Sequence, residues 1–251
     1  MDMPQKLPTK LEKEPLIDAV FELRFSSDVA ASNVLPGFLF SKLKGNKNIK
    51  RLPAAELPKP VRDTNSNLQF TPLVQLHWDN WIISISDSSL LVGCTLPYPG
   101  WKDFKPAILQ IINIVNEVDI IKSVQRYSMK YIDLITLKDL HEQVASVRAS
   151  IVLGNHTLEK EHFSLRIEIP KEKHLHAVNI ISSAVATLQD GSKKAGIIVD
   201  IDTITNADNQ PFNTWIEQLS ENLESMHTAN KEMFFECLQP KTIESLGPVY
   251  E

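Results

Sequence analysis

One local pattern occurs twice along the chain and limits the folds that it can adopt. In the first copy, the apolar run Leu90–Thr95 is followed by a proline- and aromatic-rich connector, Leu96–Phe104, and then by an apolar helical stretch. In the second copy, the apolar run Ile197–Ile204 is followed by Gln210–Trp215 and the longest helical pattern of the chain. This order predicts an α+β protein of two similar halves, related by duplication, each an antiparallel sheet with a long helix packed on it.

The predicted boundaries follow the hydrophobic pattern. We expect a loose N-terminal lead-in over residues 1–14, a first α+β half over 15–140, and a second half over 141–251 that ends in a long helix. The predicted strands are Pro15–Phe25, Leu68–Trp78, Trp81–Asp87, Leu90–Thr95, Val124–Leu137, Val147–Leu153, His162–Ile169, Asn179–Leu188 and Ala195–Ile204. The predicted helices are Val34–Leu43, Asp103–Asp119 and Pro211–Leu238, with an irregular excursion over residues 44–68 and a turn at Asp190-Gly191.

The composition excludes several classes of protein. A net charge of −5 gives no global attraction to nucleic acid or to anionic membranes. Two distant cysteines, Cys94 and Cys237, cannot build a disulfide framework or a four-thiolate zinc site. The chain also lacks an uninterrupted apolar run of the ~20 residues that span a bilayer. We therefore predict a cytoplasmic protein that does not associate with membranes.

Three segments carry a resemblance to a known family. These are the opening PLIDAVFELRF strand, the Tyr98-x-x-Trp101 helix start, and the RYSMKYID strand at Arg126–Asp133. In these segments the chain resembles a family of sporadically distributed, uncharacterised prokaryotic proteins of about this length. The resemblance brings no assigned activity. It implies a bacterial or archaeal origin and a patchily distributed gene, which would fit phage defence, a toxin–antitoxin pair or mobile-element cargo.

The strongest indication of an enzyme is a pair of carboxylates. Gly191-Ser192 precedes Asp200-x-Asp202, a pattern similar to that of nucleotidyltransferases, in which two strand carboxylates hold Mg²⁺ against a triphosphate. The simpler interpretation is a hairpin turn followed by a half-buried strand whose solvated face carries Asp200 and Asp202. His174-x-His176 could place two imidazoles as metal ligands, but the charged residues around it favour a polar loop instead of a metal site. With no G-x-S-x-G or Walker A motif, no catalytic residue and no cofactor are predicted.

Polar residues on two strands form the first candidate binding site. Arg126, Ser128 and Lys130 point to one side of their strand, and Glu22 and Arg24 lie on the polar side of the opening strand. We predict that these residues form a site that binds an anion or a carboxylate side chain. Its members are Glu22, Arg24, Arg126, Lys130 and Asp133. The other interpretation is that these residues are outward-facing charges on a sheet.

A basic loop and a helical seam are two further candidate interaction sites. The loop contains Lys44, Lys47, Lys50 and Arg51. These side chains could contact phosphates or an acidic partner protein. The loop has no aromatic residues on which bases could stack, which argues against binding of single-stranded nucleic acid. The seam, with its spacing of three and four, predicts either a homodimer interface or a helix lying on its own sheet. Its residues are Ile216, Leu219, Leu223, Met226, Asn230 and Met233.

These features favour a non-catalytic cytosolic binding or regulatory protein. A protein partner is expected, and the chain would act as the partner or neutralising component of a prokaryotic defence or toxin–antitoxin module. The competing hypothesis is a metal-dependent enzyme that acts on a nucleotide or nucleic acid through Asp200 and Asp202.

Overall fold

The computed structural model of the chain describes residues 7–65, 68–187 and 191–250. The strands are β1 Lys10–Leu11, β2 Leu16–Ser27, β3 Lys47–Arg51, β4 Val74–Trp78, β5 Trp81–Ile85, β6 Ser89–Cys94, β7 Ile121–Ile135, β8 Val152–Leu153, β9 His156–Thr157, β10 Ser164–Lys171, β11 His174–Thr187, β12 Lys193–Pro211 and β13 Pro248–Val249. The helices are α1 Ala31–Lys42, α2 Lys59–Thr64, α3 Trp101–Asn116, α4 Leu140–Ser146, α5 Phe212–Glu217, α6 Leu219–Cys237 and α7 Pro240–Ser245.

The fold is α+β, built on a large antiparallel sheet, as the short turns between strands predict. The nine strands of this sheet are ordered β10-β11-β12-β7-β2-β6-β5-β4-β3. Two short strands near the chain ends, β1 and β13, pair separately, as do β8 and β9. None of the helices in the described residues is both long and apolar enough to cross a membrane.

The chain divides into two compact units, and each unit combines separate segments. The first unit contains Asp18–Lys130 and Ile204–Met226. The second unit contains the residues up to Ile17, Tyr131–Thr203, and the residues from His227 onward. These units differ from the contiguous ranges 15–140 and 141–251, and a duplication of two similar halves stays a prediction.

In the first unit, the core lies between one sheet face and two helices. Strand β2 alternates as its sequence predicts, with Ala19, Phe21, Leu23 and Phe25 buried. Helix α1 contacts β4, β5 and α3. The α3 side chain Phe104 stacks on Trp81 of β5, with 5.7 Å between the ring centroids. Apolar burial on this face holds the helices against the sheet.

In the second unit, strands β11 and β12 and the C-terminal part of α6 form the core. Val178, Ile180, Ile197 and Val199 are buried against a cluster of side chains from the end of the chain. That cluster contains Met233, Phe234, Phe235, Leu238 and Leu246.

The structure corrects several predicted elements. The predicted lead-in contains β1, where Leu11 is buried. The excursion at 44–68 contains strand β3, a 3-10 turn and α2. The strand predicted from Leu68 begins only at Val74, and most of Val147–Leu153 is not a strand. Helix α3 starts at Trp101, after Gly100, instead of at Asp103. The single helix predicted from Pro211 is divided into α5 and α6 at Gln218. Of the predicted turn Asp190-Gly191, Asp190 lies outside the described residues.

Candidate functional site

One face of the first unit's sheet remains partly exposed to solvent. Residues paired directly across antiparallel strands point to the same face. Glu22 pairs with Leu91, Leu91 with Ser84, Ser84 with Gln75, and Gln75 with Lys50, which produces one row across five strands. The buried side chains Phe21, Val92 and Ile83 alternate with this row and point to the helix-covered face. We call the exposed side the open face. It comprises Val20, Glu22, Arg24, Asn48, Lys50, Gln75, His77, Ile82, Ser84, Leu91, Gly93 and Arg126.

Two arginines on the open face are held by one carboxylate. The Arg126 guanidinium donates from Nη2 to Glu22 Oε2 at 3.1 Å, and Arg24 Nε lies 3.0 Å from Glu22 Oε1. The Glu22 side chain is only 14% exposed, whereas the two arginines are 25% and 26% exposed. Each carboxylate oxygen therefore holds one guanidinium, and both guanidinium groups are fixed in position by the same side chain.

An aromatic ring further restrains Arg24. Its guanidinium carbon lies 4.2 Å from the centroid of the Phe70 ring, a cation–π contact. Next to this cluster, the hydroxyls of Ser26 and Ser123 are 2.6 Å apart and form a hydrogen bond. With two guanidinium groups against one carboxylate, the cluster carries a formal charge of +1 on a protein whose net charge is −5. This arrangement suits a carboxylate ligand, which planar guanidinium groups bind in a bidentate manner.

The other two members of the predicted binding set, Lys130 and Asp133, lie further along β7 than Arg126. Lys130 is half-buried on β7 in the first unit. Asp133 belongs to the second unit and is 7% exposed. Burial raises the pKa of the Asp133 carboxyl well above its usual range, and the nearby charges of Glu14 and Asp200 raise it further. The structure therefore brings together Glu22, Arg24 and Arg126 but does not assign Asp133 to their cluster.

The two carboxylates of the enzymatic hypothesis lie on β12 in the second unit. Asp200 and Asp202 are half-buried and alternate with the buried Val199, Ile201 and Thr203. Asn179 donates a hydrogen bond from Nδ2 to Asp200 Oδ2 at 3.4 Å. Within the described residues, no group of three or more His, Cys, Asp and Glu side chains could hold a metal ion.

The predicted loop at His174-x-His176 is wrong, because both histidines lie in strand β11 and are buried. His176 Nδ1 is 3.0 Å from Thr203 Oγ1, to which Asn230 Nδ2 donates at 2.9 Å. Burial lowers the pKa of His174 to about 4, with smaller contributions from Lys173 and His176. Burial also lowers the pKa of His176. Both imidazoles are therefore neutral at pH 7, and His176 belongs to a buried hydrogen-bond network.

The helical seam packs inside the chain. Leu219, Leu223 and Met226 are at most 1% exposed in the first unit, and Asn230 and Met233 are at most 4% exposed in the second. Asn230 also donates from Nδ2 to the Ile201 carbonyl at 2.9 Å. Ile216 lies in α5 and is half-exposed. These seam side chains are consequently part of the core, and no second copy can reach the buried ones without unfolding.

The predicted basic loop separates into three locations. Lys47 Nζ donates to the carbonyls of Phe40 and Leu43 at the end of α1. Lys44 is exposed, and its carbonyl accepts a hydrogen bond from the Trp78 indole at 2.6 Å. Lys50 lies on the open face, whereas Arg51 points to the opposite side of β3 and lines a pocket.

Both cysteines are poor nucleophiles. Burial raises the pKa of the Cys94 thiol to about 12, and the charge of Asp18 adds to this shift. Burial raises the pKa of Cys237 to about 11, with a further contribution from Glu236. Since the thiolate is the reactive form, neither side chain suits covalent catalysis.

No model of a known protein family matches the chain, and a search of curated proteins finds no significant match.

Proposed function

We propose that this protein is a non-catalytic, cytosolic binding or regulatory protein that holds a carboxylate-bearing segment of a partner protein against the open face. The observation that supports this proposal is the pair of arginines, Arg24 and Arg126, fixed by one half-buried carboxylate, Glu22. Because the guanidinium groups are positioned before binding, little side-chain entropy is lost when a carboxylate docks.

The neighbours of the arginines also suit a protein interface. Val20, Ile82 and Leu91 are apolar and half-exposed, and Gly93 leaves the sheet backbone accessible between them. Protein interfaces combine an apolar centre with arginine and aromatic residues, and these residues carry much of the binding energy. Arg24 with Phe70 provides such a pair.

We propose further that the partner belongs to a prokaryotic defence or toxin–antitoxin module, in which this chain is the partner or neutralising component. This part of the proposal rests on the resemblance of the opening strand, the Trp101 helix start and the Arg126–Asp133 strand. The first partners to test are therefore the proteins encoded beside its gene.

The experiment measures binding of each neighbouring gene product to wild-type protein and to the double variant Arg24→Gln, Arg126→Gln. Removal of two interface arginines, each contributing about 2 kcal/mol, should weaken binding by roughly 1,000-fold if the two contributions add. Lys102→Gln on the exposed surface of α3 is the matched control and should bind normally. Equal affinity of all three proteins for a partner would eliminate the open face as the docking surface.

The competing proposal is a metal-dependent enzyme that uses Asp200 and Asp202. The observation that favours this proposal is that both carboxylates are half-buried on the same strand, β12. Mg²⁺-dependent turnover of a nucleotide or nucleic acid that disappears in Asp200→Ala, Asp202→Ala, with the fold retained, would replace the binding proposal. We expect the double variant to retain its partner binding.

Two architectural proposals accompany the function. The first is the duplication, supported by the start of α3 at Trp101 and of α5 at Phe212, each after a proline-containing connector. Superposition of β6–α3 on β12–α5–α6 should bring Trp101 and Trp215 to comparable positions, and a match limited to the helices would count against common descent. The second is a homodimer. Since the helical seam is buried, such a dimer would form through another surface. Light scattering at micromolar concentration tests whether it exists.

A further inference from the structure

A pocket in the first unit is lined by basic side chains from the segment 44–68. Its volume is about 310 Å³. The excursion crosses β3, a 3-10 turn and α2, so that residues far apart in sequence face one cavity beside the start of α1. Among the residues that line it are Ser32, Asn33, Arg51, Lys59 and Arg62.

Asp87 fixes one of these cations in place. Arg62 donates from Nη2 to Asp87 Oδ2 at 3.0 Å, and Ser32 donates to the other carboxylate oxygen. The side chains of Arg62 and Asp87 are 12% and 17% exposed, so this ion pair is largely shielded from solvent. A guanidinium has five N–H donors, and Asp87 occupies one of them. Arg62 is therefore rigidly held and still has donors for a ligand.

The other two cations are more exposed. Lys59 Nζ contacts both oxygens of Asp63 at 2.9 Å and lies 3.9 Å from Asp87. Arg51 forms no ion pair with any carboxylate among the described residues. The three cations and the two carboxylates, Asp63 and Asp87, leave one formal positive charge at this pocket. A ligand that displaces the exposed Asp63 side chain would raise that charge to two.

The backbone at the pocket adds to this positive potential. Helix α1 begins after Ala30, which has no side chain that could cap the first amide groups. The amide of Ala31 donates to the Asp87 carbonyl, and Ser32 and Asn33 of this first turn line the pocket. The amide groups at the start of a helix carry a partial positive charge that favours an anion.

We propose that this pocket binds the phosphoryl group of a small phosphate monoester, with Arg51, Lys59 and Arg62 as its charged contacts. Its volume lies at the lower end of the range for small-molecule sites. The planar forks of Arg51 and Arg62 match the geometry of phosphate oxygens, and the Lys59 ammonium supplies a mobile point charge. The site is separate from the open face and does not depend on the function proposed there.

The test is isothermal titration of the full chain with inorganic phosphate and with AMP, with sodium chloride added to a matched ionic strength. Both ligands should bind, and AMP should bind more tightly if the organic part of the ester contacts Leu57 and Leu73. Arg51→Ala with Lys59→Ala should weaken phosphate binding at least tenfold. Lys50→Ala removes the same charge from β3 on its opposite face and should leave phosphate affinity unchanged.

Thermal denaturation of each variant establishes that the fold is retained. If the double variant proves unstable, Lys59→Gln alone serves, because that side chain is 59% exposed and contributes little to packing. It should weaken phosphate binding several-fold. An absence of binding by the wild-type protein up to millimolar phosphate, or undiminished affinity in the pocket variants, would overturn the proposal. Weaker phosphate binding in Lys50→Ala than in the pocket variants would also overturn it.

Discussion

Replacement of Asn230 by leucine tests whether the seam of α6 serves the core or an interface. The Asn230 amide donates to the Ile201 carbonyl and to the Thr203 hydroxyl, both at 2.9 Å, and the residue is 2% exposed. A hydrogen bond contributes about 1 kcal/mol net, and a buried acceptor left without its donor adds about 1 kcal/mol or more. Thr203 retains its bond to His176. The expected loss is therefore about 2–4 kcal/mol.

Differential scanning calorimetry can measure this loss. In a chain of this length, 1 kcal/mol corresponds to about 2–4 °C, so Asn230→Leu should lower Tm by roughly 4–16 °C. Thr228→Ala on the exposed side of the same helix is the control and should lower Tm little. Light scattering of both variants should match that of the wild-type protein. An unchanged Tm, or a change in oligomeric mass without loss of stability, would refute the assignment of Asn230 to the core.

Three other substitutions test features of the second unit. Because burial raises the pKa of Asp133, its ionisation destabilises the fold as pH rises, so Asp133→Asn should increase the free energy of unfolding more at high pH than at acidic pH in urea titrations. An equal effect at both pH values would contradict this. His174 has a folded-state pKa of about 4, which lies below its unfolded value of ~6.5. Its contribution to stability is therefore present above ~6.5 and lost as pH falls toward ~4, and His174→Gln should reduce that decline; a variant with the wild-type pH profile would contradict the prediction. A Cβ on Gly196 would lie 2.0 Å from the Ile135 carbonyl oxygen, so Gly196→Ala should strongly lower Tm. The control is Gly37→Ala in α1 of the first unit, where a Cβ would meet no atom within 4 Å, and this variant should increase the free energy of unfolding by about 0.5–1 kcal/mol. A tolerated Gly196→Ala would show that β12 and β7 separate easily.

The spacing of apolar residues predicted the strands and helices that bury one face and expose the other. Strand β2 could be recognised because the apolar residues Ala19, Phe21, Leu23 and Phe25 are spaced two apart and are separated mostly by polar residues. A shift of one residue would move this apolar set to the exposed face, so the pattern specifies the register. The apolar period of α3 likewise predicted its buried side chains, although the helix starts two residues before the expected Asp103. In both cases the information lies within one segment.

Features that depend on distant partners were not predictable in this way. His174 and His176 resemble a loop because charged residues flank them, and only Thr203 and Asn230 explain why His176 is buried. The spacing of two residues between His176, Val178 and Ile180, which places them on one buried face, was a signal that could have indicated a strand. The edge strand β3 has no apolar alternation because its side chains are mostly exposed.

The candidate site was predictable only in part for the same reason. Proximity of Glu22 to Arg126 follows from the pairing of two recognisable strands, and the structure shows it. The grouping of Arg51, Lys59 and Arg62 depends on how an irregular segment folds back, which no local period encodes.

The discontinuous composition of the two units affects how the chain can be synthesised and divided. The first unit needs Ile204–Met226, and the second needs the residues from His227 onward, so both wait for the last quarter of the chain. On the ribosome, neither unit can therefore reach its complete set of contacts early, although domains commonly fold in N-terminal order during synthesis. A cut near residue 140 would remove segments from both units at once. Split-protein fragments made there should each remain incomplete alone and regain structure only when both are present.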